Sequence, residues 1–262
     1  MTVGEIAFDA LTEEEVVSHV RAALDRGEGG RIITPNVDIA LRAGAAPTPA
    51  SVARDSGDPF PGDAVTVRRF LADASLVVAD GMPLLWASRL ARTPLPERVA
   101  GSSLIWTLSR AAGLDGRSVF LIGGRPGTAA GPALEAGCPG LRIAGHVSPP
   151  FGFERTSFYD ELCARVKEAK PDIVYVGLGF PKQEHVIDRL RPELPAAWFV
   201  GCGASVQFVA GELHRAPLWM QRSGLEWIHR LLSEPRRLAG RYLIHDLPFA
   251  FRLLSSAVRK RA

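Results

Sequence analysis

The sequence predicts an α/β protein with a Rossmann-like, mostly parallel sheet and helices on both faces, followed by a helical, basic C-terminal appendage. The first observation is a set of short, apolar, β-branched runs, such as residues 117–123 and 173–178. Such runs are typical of strands that are buried on both sides. The second is the helical periodicity after each run, because strand–helix alternation predicts a parallel sheet. The third is a change near residue 212, where the glycine-ended strands stop and an aromatic, basic helical segment begins.

These observations divide the chain into two parts. We predict that residues 1–211 form the α/β domain and that residues 212–262 form the helical appendage. Within the first part, residues 44–63 are rich in Ala, Pro, Ser, Gly and Asp and contain almost no large apolar group. This composition predicts a long mobile loop.

Individual elements follow from local patterns. Thr12 and Glu15 form a capping-box pattern ahead of apolar residues at helical spacing, which predicts a helix over residues 12–26. Residues 31–37 are predicted to be a strand that runs into a turn. The other predicted strands span residues 75–81, 117–123, 141–147, 173–178 and the apolar part of 196–205. The other predicted helices span 64–74, 82–90, 102–112, 156–170 and a segment that begins near Pro181. In the appendage, Arg230, Arg237 and Arg241 are spaced to share one helix face, and Pro248 is expected to break the next helix.

Composition limits the kind of protein. The 262 residues carry a net charge of +3, but residues 212–262 contain ten basic and four acidic residues, so the rest of the chain is acidic. A basic segment on an acidic body predicts an anionic partner such as phosphate, nucleic acid or a membrane surface. The three distant cysteines predict a reduced, cytosolic protein without a disulfide framework. We expect neither a membrane-spanning helix nor a secretory signal.

Polar residues at the predicted strand ends are candidates for chemistry. Thr34, Asn36, Asp80, Lys182 and Gln183 follow different strands and would lie on one rim of a parallel sheet, where open α/β sheets bind ligands. A carboxylate there can take a proton from a hydroxyl nucleophile, so Asp80 is a candidate acid or base. The alternative is that Asp80 caps the following helix, since Asp is common at N-caps.

Glycine turns follow two of the predicted strands. Gly177 and Gly179 precede a helix start whose free N–H groups, together with Lys182, could receive an anion, although these glycines could equally serve only the turn. The turn at Gly123 and Gly124 lacks the spacing of a dinucleotide fingerprint. The sequence contains no Asp-x-Asp, no Gly-x-Ser-x-Gly and no histidine spacing typical of a metal site, so it offers no candidate metal ligands.

Seven phrases occur in order along the chain: TPNVD, ADGMPLLWASRL, ERVAGSSL, VFLIGGRPGTA, GHVSPPFG, PDIVYVGLGFPKQE and GLEWIHRLLSEPRRL. Together they resemble the WecG/TagA/CpsF family of bacterial glycosyltransferases. The resemblance implies inverting, metal-independent transfer of an N-acetylmannosamine-type sugar or a hexose from a UDP-sugar to a polyprenyl-diphosphate-linked glycan. It also implies a role in the synthesis of teichoic acid or another cell-surface polysaccharide, and it implies no cofactor.

The same resemblance assigns roles to residues. Asp80 is the implied base, with Thr34 and Asn36 beside it as catalytic residues. The substrate-binding residues that it implies are Arg98, Gln183, Arg230 and Arg237. From the glycine turns, the helix start at 181–184 and the basic appendage, we also predict substrate binding by Gly123, Gly124, Gly179, Lys182, Glu184 and Arg241. Members of the family often have two arginines before the residue that is Tyr242 here, whereas this chain has Gly240 and Arg241.

The implied partners are the UDP-sugar, the lipid-linked acceptor and an anionic membrane that the appendage contacts, with no nucleic acid and a possible homo-oligomer. This predicts a cytoplasmic protein, peripheral on the inner face of the bacterial cell membrane. Two other functions fit parts of the sequence. The glycine turns also fit a nicotinamide-dependent oxidoreductase on a Rossmann-like sheet, and the basic appendage also fits a non-catalytic module that binds membranes or nucleic acid.

Overall fold

The structure is a computed structural model that describes residues 1–44 and 59–259, except for the side chains of Arg222 and Arg237. The predicted mobile loop at residues 44–63 falls mostly between these ranges and so lies outside the described residues. The strands are β1 (Thr2–Val3), β2 (Ile6–Ala7), β3 (Gly30–Ile33), β4 (Leu76–Val77), β5 (Ser118–Gly123), β6 (Arg142–Val147), β7 (Ile173–Gly177) and β8 (Trp198–Gly201).

Strands β3 to β8 form one sheet in the order β4-β3-β8-β7-β5-β6, and every neighbouring pair is parallel. Strands β1 and β2 form a separate antiparallel pair. After β5 the chain continues to β6, which lies at one edge of the sheet. After β7 it continues to β8, which lies on the opposite side of the β5–β7 pair. The chain therefore changes direction between the neighbours β5 and β7, and ligands bind at such points in open α/β sheets.

Thirteen α-helices and one π-helical segment are described in residues 1–44 and 59–259. The helices are α1 (Glu13–Asp25), α2 (Val37–Gly44), α3 (Ala64–Ala72), α4 (Met82–Leu90), α5 (Gly101–Leu114), α6 (Ala130–Gly137), α7 (Phe158–Ala169), α8 (Lys182–Leu190), α9 (Ser205–Val209), α10 (Leu218–Ser223), α11 (Glu226–Ser233), α12 (Pro235–Ala239) and α13 (Leu247–Arg259), and the π segment is Gly240–Asp246. None of them combines the length and the apolar character needed to cross a lipid bilayer.

Alternate side chains of the central strands enter different hydrophobic clusters. Leu121 of β5 packs with α1 and α5 on one face, whereas its neighbours Phe120 and Ile122 pack with α7 and α8 on the other. Strands of this kind are apolar throughout because neither of their faces meets water. The predicted α/β class, with a parallel sheet between two helical layers, is therefore confirmed.

The last helix, α13, packs back onto the α/β part of the chain. Its Leu253 and Ala257 are buried in a third cluster, which contains Val3 and Ile6 of the first strand pair and Leu84 of α4. The C-terminal helices thus share a core with the body of the protein. The boundary near residue 211 remains a prediction, but residues beyond it help to bury the first strands.

Most predicted boundaries fall within two residues of the observed ones, and the helix at 82–90 has the predicted bounds. Thr12 and Glu15 form the predicted capping box at the start of α1. Over residues 31–37 the sequence predicts a strand that runs into a turn, and β3 does end at Ile33, before irregular backbone at residues 34–36. The helix α2, which begins at Val37, is not among the predicted elements. Its start is set locally: the Asn36 side chain accepts a hydrogen bond from the N–H of Ile39 at 3.1 Å and so starts the helix.

Two predictions about the appendage are wrong. Arg230, Arg237 and Arg241 do not share one helix, because α11 ends at Ser233 and α12 begins at Pro235. The intervening Glu234 has φ −134° and ψ 57°, in keeping with the exclusion of helical geometry before proline. Pro248 does not break the following helix, which runs from Leu247 to Arg259 directly after the π segment. Pro248 is the second residue of this helix, and proline is tolerated within the first helical turn.

Candidate active site

A cleft of about 870 Å³ opens at the carboxyl ends of the strands. Its floor is made by glycines that end neighbouring strands: Gly123 of β5, Gly177 of β7 and Gly201 of β8. Gly123 has φ +125°, and a Cβ atom there would lie 2.5 Å from the carbonyl oxygen of Gly177. Side chains are thus excluded from the floor by the backbone geometry, which leaves room for a ligand close to the sheet.

Asp80 lies in this cleft, at the end of β4. Its backbone N–H donates to the carbonyl of Pro35 at 3.0 Å, which fixes it beside the end of β3. Helix α4 begins after Gly81, which is its N-cap and makes no side-chain capping bond. The structure therefore does not support the alternative that Asp80 serves as the helix cap.

Arg98 is held next to Asp80 by the backbone. The N–H of Val99 donates to the carbonyl of Ala79 at 2.9 Å, so the residues next to this bonded pair, Asp80 after Ala79 and Arg98 before Val99, both reach the cleft. The guanidinium of Arg98 also forms an ion pair, with an Nη1–Oε2 distance of 2.9 Å, to Glu226 of α11. The C-terminal helices therefore reach across to the strand ends.

The surroundings of Asp80 make it a stronger base than an ordinary carboxylate. Burial, together with a smaller effect of the nearby Glu226, raises the pKa of Asp80 to about 7. Arg98 is the largest opposing influence on this pKa, followed by Arg230 and Arg215. A carboxyl group with a pKa near 7 can accept a proton at neutral pH and is suited to general base catalysis.

Arg230 of α11 also lines the cleft. Its guanidinium carbon lies 5.8 Å from the centre of the Phe208 ring, and its Nε atom has no hydrogen-bond partner among the described residues. Arg241, in the π segment, lines the cleft with its Nε atom 3.5 Å from a carboxylate oxygen of Asp246. Two of the three predicted tail arginines therefore face the site, while the side chain of Arg237 lies outside the described residues.

Most of the other predicted site residues also line the cleft. These are Thr34, Asn36, Gly123, Gly124, Gly179 and Gln183. Gly124 and Gly179 have φ angles of +78° and +76°, so their turns favour glycine. Asn36 both lines the cleft and caps α2, as described above.

Two predicted substrate-binding residues do not line the cleft. Lys182 pairs with Glu154 instead. Glu184 is fully buried behind the cleft, where Arg31 lies 3.2 Å from its carboxylate and is itself fully buried. Burial raises the pKa of Glu184 to about 7, and Arg31 opposes this rise.

Gln183 joins this buried pair to the floor of the cleft. Its Nε2 donates to Glu184 at 3.2 Å, and its Oε1 accepts from the N–H of Gly203 at 3.0 Å. The amide therefore fixes the glycine turn that follows β8. Of these two neighbours in sequence, Gln183 lines the cleft, whereas Glu184 lies behind it against Arg31.

Sequence reasoning missed several residues of the site. Glu226, Asp38, Asp246 and Phe208 line the cleft, and Arg215 pairs with Glu226 at 3.5 Å. Glu226 lies in one of the seven phrases of the family resemblance. Its partner Arg98 is 128 residues away in the sequence, so no local pattern indicates their contact. No group of three or more potential metal-ligating His, Cys, Asp or Glu side chains occurs in residues 1–44 and 59–259.

Known proteins resemble this chain over most of its length. Residues 62–262 match the family described as the glycosyl transferase WecG/TagA/CpsF family. A protein of Bacillus spizizenii named N-acetylglucosaminyldiphosphoundecaprenol N-acetyl-β-D-mannosaminyltransferase is 30% identical over 238 residues, which cover 90% of this chain and 84% of that protein. Proteins with the same name are 32% identical over 169 residues in Bacillus subtilis (64% of each chain) and 33% identical over 190 residues in Staphylococcus aureus (71% of each chain).

Proposed function

Since this chain belongs to the WecG/TagA/CpsF family of glycosyl transferases, we propose that it transfers a sugar from a UDP-sugar to a polyprenyl-diphosphate-linked glycan, with inversion at the sugar. The enzyme class, glycosyltransferase, follows from the family and replaces the oxidoreductase and non-catalytic alternatives. The main support for the proposed chemistry is the composition of the cleft. A carboxyl group with a pKa near 7, Asp80, and the guanidinium groups of Arg98 and Arg230 line one cleft over a floor of glycine.

The proposed reaction is a single displacement. Asp80 takes the proton from a hydroxyl group of the acceptor as the hydroxyl oxygen bonds to the anomeric carbon of the donor sugar. The bond from that carbon to the diphosphate breaks at the same time, and UDP leaves with the bonding electrons. Attack opposite the departing UDP inverts the anomeric carbon, so one base is sufficient.

The departing UDP carries its negative charge on the diphosphate. Arg98, Arg230 and Arg241 line the cleft and are the groups that we assign to the diphosphate oxygens. Charge-assisted hydrogen bonds from guanidinium groups to phosphate are strong and directional. Such donors, fixed before the reaction begins, can stabilise the developing charge without a metal ion.

The names of the relatives suggest the other substrates. They describe transfer of N-acetylmannosamine to N-acetylglucosaminyl-diphosphoundecaprenol. We assign this chain a donor sugar of the same type or a hexose, and an acceptor that is a sugar on a polyprenyl diphosphate. The product would enter a teichoic acid or another cell-surface polysaccharide.

The first prediction tests this reaction. Purified protein is incubated with UDP-N-acetylmannosamine, UDP-N-acetylglucosamine or UDP-glucose and with a short-chain N-acetylglucosaminyl-diphosphopolyprenol. We expect one donor to extend the lipid by one sugar with inversion, as measured by mass spectrometry and NMR of the product. Activity should persist in EDTA, because arginines are assigned to the diphosphate. Failure of every donor would contradict the reaction, whereas loss in EDTA that magnesium or manganese reverses would contradict only its metal independence.

A lipid-linked acceptor requires the enzyme to reach a membrane surface. Large apolar side chains are exposed on the C-terminal helices, among them Trp219 (63% exposed), Ile244 (68%) and Phe251 (67%). The same segment carries the excess of basic residues. Apolar groups beside positive charge are the features with which peripheral proteins bind anionic bilayers. We therefore place the enzyme at the inner face of the cell membrane, bound through this segment.

The second prediction concerns that surface. The double substitution Trp219→Ser and Ile244→Ser should weaken binding to phosphatidylglycerol-containing vesicles by roughly tenfold or more, because burying each side chain in lipid contributes about 1.5–3 kcal/mol. Co-sedimentation measures the binding. The control is Leu114→Ser, which removes an 81% exposed apolar side chain from the end of α5. Equal binding by the double variant and the control would show that the C-terminal helices do not meet the lipid.

A further inference from the structure

The C-terminal helices bring a negative charge to the cleft as well as positive ones. Glu226 is the first residue of α11, and it lines the cleft together with Asp80 and Arg98. One of its carboxylate oxygens accepts from Nη1 of Arg98 at 2.9 Å, and the other lies 3.5 Å from Nε of Arg215. The side chains of Glu226 and Arg98 are only 13% and 16% exposed. This carboxylate is therefore held on two sides and largely removed from water.

The arrangement links the C-terminal helices to the body of the protein. Arg215 also donates to the hydroxyl of Ser103, on α5, at 3.1 Å. Arg98 lies just before α5, so both arginines are anchored beside the same helix. Through its ion pair with Arg98, Glu226 thus connects α11 to the residues near the strand ends. A buried ion pair of this kind is weak evidence for stability, because desolvation offsets much of its attraction.

We propose that Glu226 is a positioning residue, which holds Arg98 beside Asp80 and couples the docking of the C-terminal helices to the charge of the catalytic site. The catalytic part of this inference rests on the proposed function. The structural part does not, since it concerns the charges that surround Asp80 in the free protein. Glu226 itself is assigned no contact with substrate.

The electrostatic surroundings of Asp80 support this role. The strongest charge effects on its pKa come from Arg98 in the segment before α5, Arg215 in the segment before α10, and Glu226 and Arg230 of α11. Glu226 is the only one of these four that raises the pKa of Asp80, and the three arginines lower it. Further along the cleft wall lie Asp38, Asp246 and Arg241.

Two substitutions with opposite expected effects form the third prediction. Glu226→Gln keeps the size and a hydrogen-bond acceptor but removes the negative charge, so Asp80 should titrate at lower pH, by roughly half a unit or more. Arg215→Gln removes a positive charge, so Asp80 should titrate at higher pH. General damage to the fold would not produce shifts of opposite sign.

The titration of Asp80 can be measured directly in the whole protein by NMR. The protein is labelled with aspartate that carries carbon-13 in its side-chain carboxyl group, and the Asp80 signal is identified by its loss in Asp80→Asn. The matched control is Glu212→Gln, since Glu212 pairs with Arg125 and is not among the charges with the strongest effects on Asp80. Glu226→Asp, which keeps the charge, should titrate close to the wild type. Should Glu226→Gln fail to fold, Arg215→Gln and Glu226→Asp still test the coupling.

The outcomes separate the inference from the reaction. Opposite shifts in Glu226→Gln and Arg215→Gln, with none in Glu212→Gln, support the coupling whether or not sugar transfer is observed. Unchanged Asp80 titration, or shifts in one direction only, would overturn it. In the transfer assay, the acidic limb of the kcat/KM–pH profile, which reports the free enzyme, should move with the NMR midpoint. Glu226→Gln should therefore raise the ratio of kcat/KM at pH 6 to kcat/KM at pH 8 by about threefold. If the wild-type protein transfers no sugar but the two variants still show opposite shifts in the Asp80 titration, only the proposed function is contradicted.

Discussion

Asp80→Asn is expected to slow sugar transfer by about 10²–10⁴-fold while UDP binding stays close to the wild-type value, because general base assistance contributes rate factors of this size. Asparagine has nearly the same shape as aspartate but cannot accept the proton of the acceptor hydroxyl. Initial rates of lipid glycosylation measure the first effect, and calorimetric titration with UDP measures the second. Transfer at more than about a tenth of the wild-type rate would remove Asp80 from the role of base.

A stability measurement shows that any such loss is chemical and not a result of unfolding. The pKa of Asp80 is raised to about 7 in the folded protein, above its value in the unfolded chain, so the folded state holds an extra proton between about pH 4 and pH 7. The contribution of Asp80 to stability therefore falls as pH rises through that window. Asp80→Asn removes this loss and should increase the free energy of unfolding at pH 8 by roughly 2–4 kcal/mol. Asp115→Asn, at a surface ion pair with Arg21, should show no such gain.

Arg230→Ala should lower kcat/KM for the UDP-sugar by roughly 10–100-fold, because a hydrogen bond to a charged group contributes about 1.5–3 kcal/mol. Its guanidinium lines the cleft, and its Nε atom is free of hydrogen-bond partners among the described residues. The matched control is Arg236→Ala, which removes the same charge from an exposed position on α12. Equal effects of the two substitutions would indicate a general electrostatic role in place of a phosphate contact.

The sequence predicted those parts of the fold that depend on neighbouring residues. The capping box at Thr12 and the apolar run at residues 173–178 each carry their own signal, since helix caps and doubly buried strands select particular residue types. The parallel sheet then follows from the alternation of such elements. The positions of Asp80 and Arg98 at the cleft follow from the strand ends together with the family resemblance.

The remaining features depend on contacts between distant residues. No local pattern indicates that Glu226 meets Arg98, or that Glu184 of α8 is buried against Arg31 of β3. The interruption between α11 and α12 is different, because its cause is local. Pro235 disfavours helical geometry at Glu234, and the regular spacing of the three tail arginines does not show this effect.

The packing of α13 has a consequence for the order in which the protein can fold during synthesis. Leu253 and Ala257 complete a cluster that also holds Val3 and Ile6, so residues separated by almost the whole sequence must meet. A chain still emerging from the ribosome has all strands of the sheet well before it has α13. The sheet can therefore assemble while the first strand pair still lacks its cover, and late contacts of this kind leave apolar surface exposed in the meantime. Arg230 and Glu226 arrive in the same late stage, so a nascent chain would hold Asp80 without the charges that complete its site.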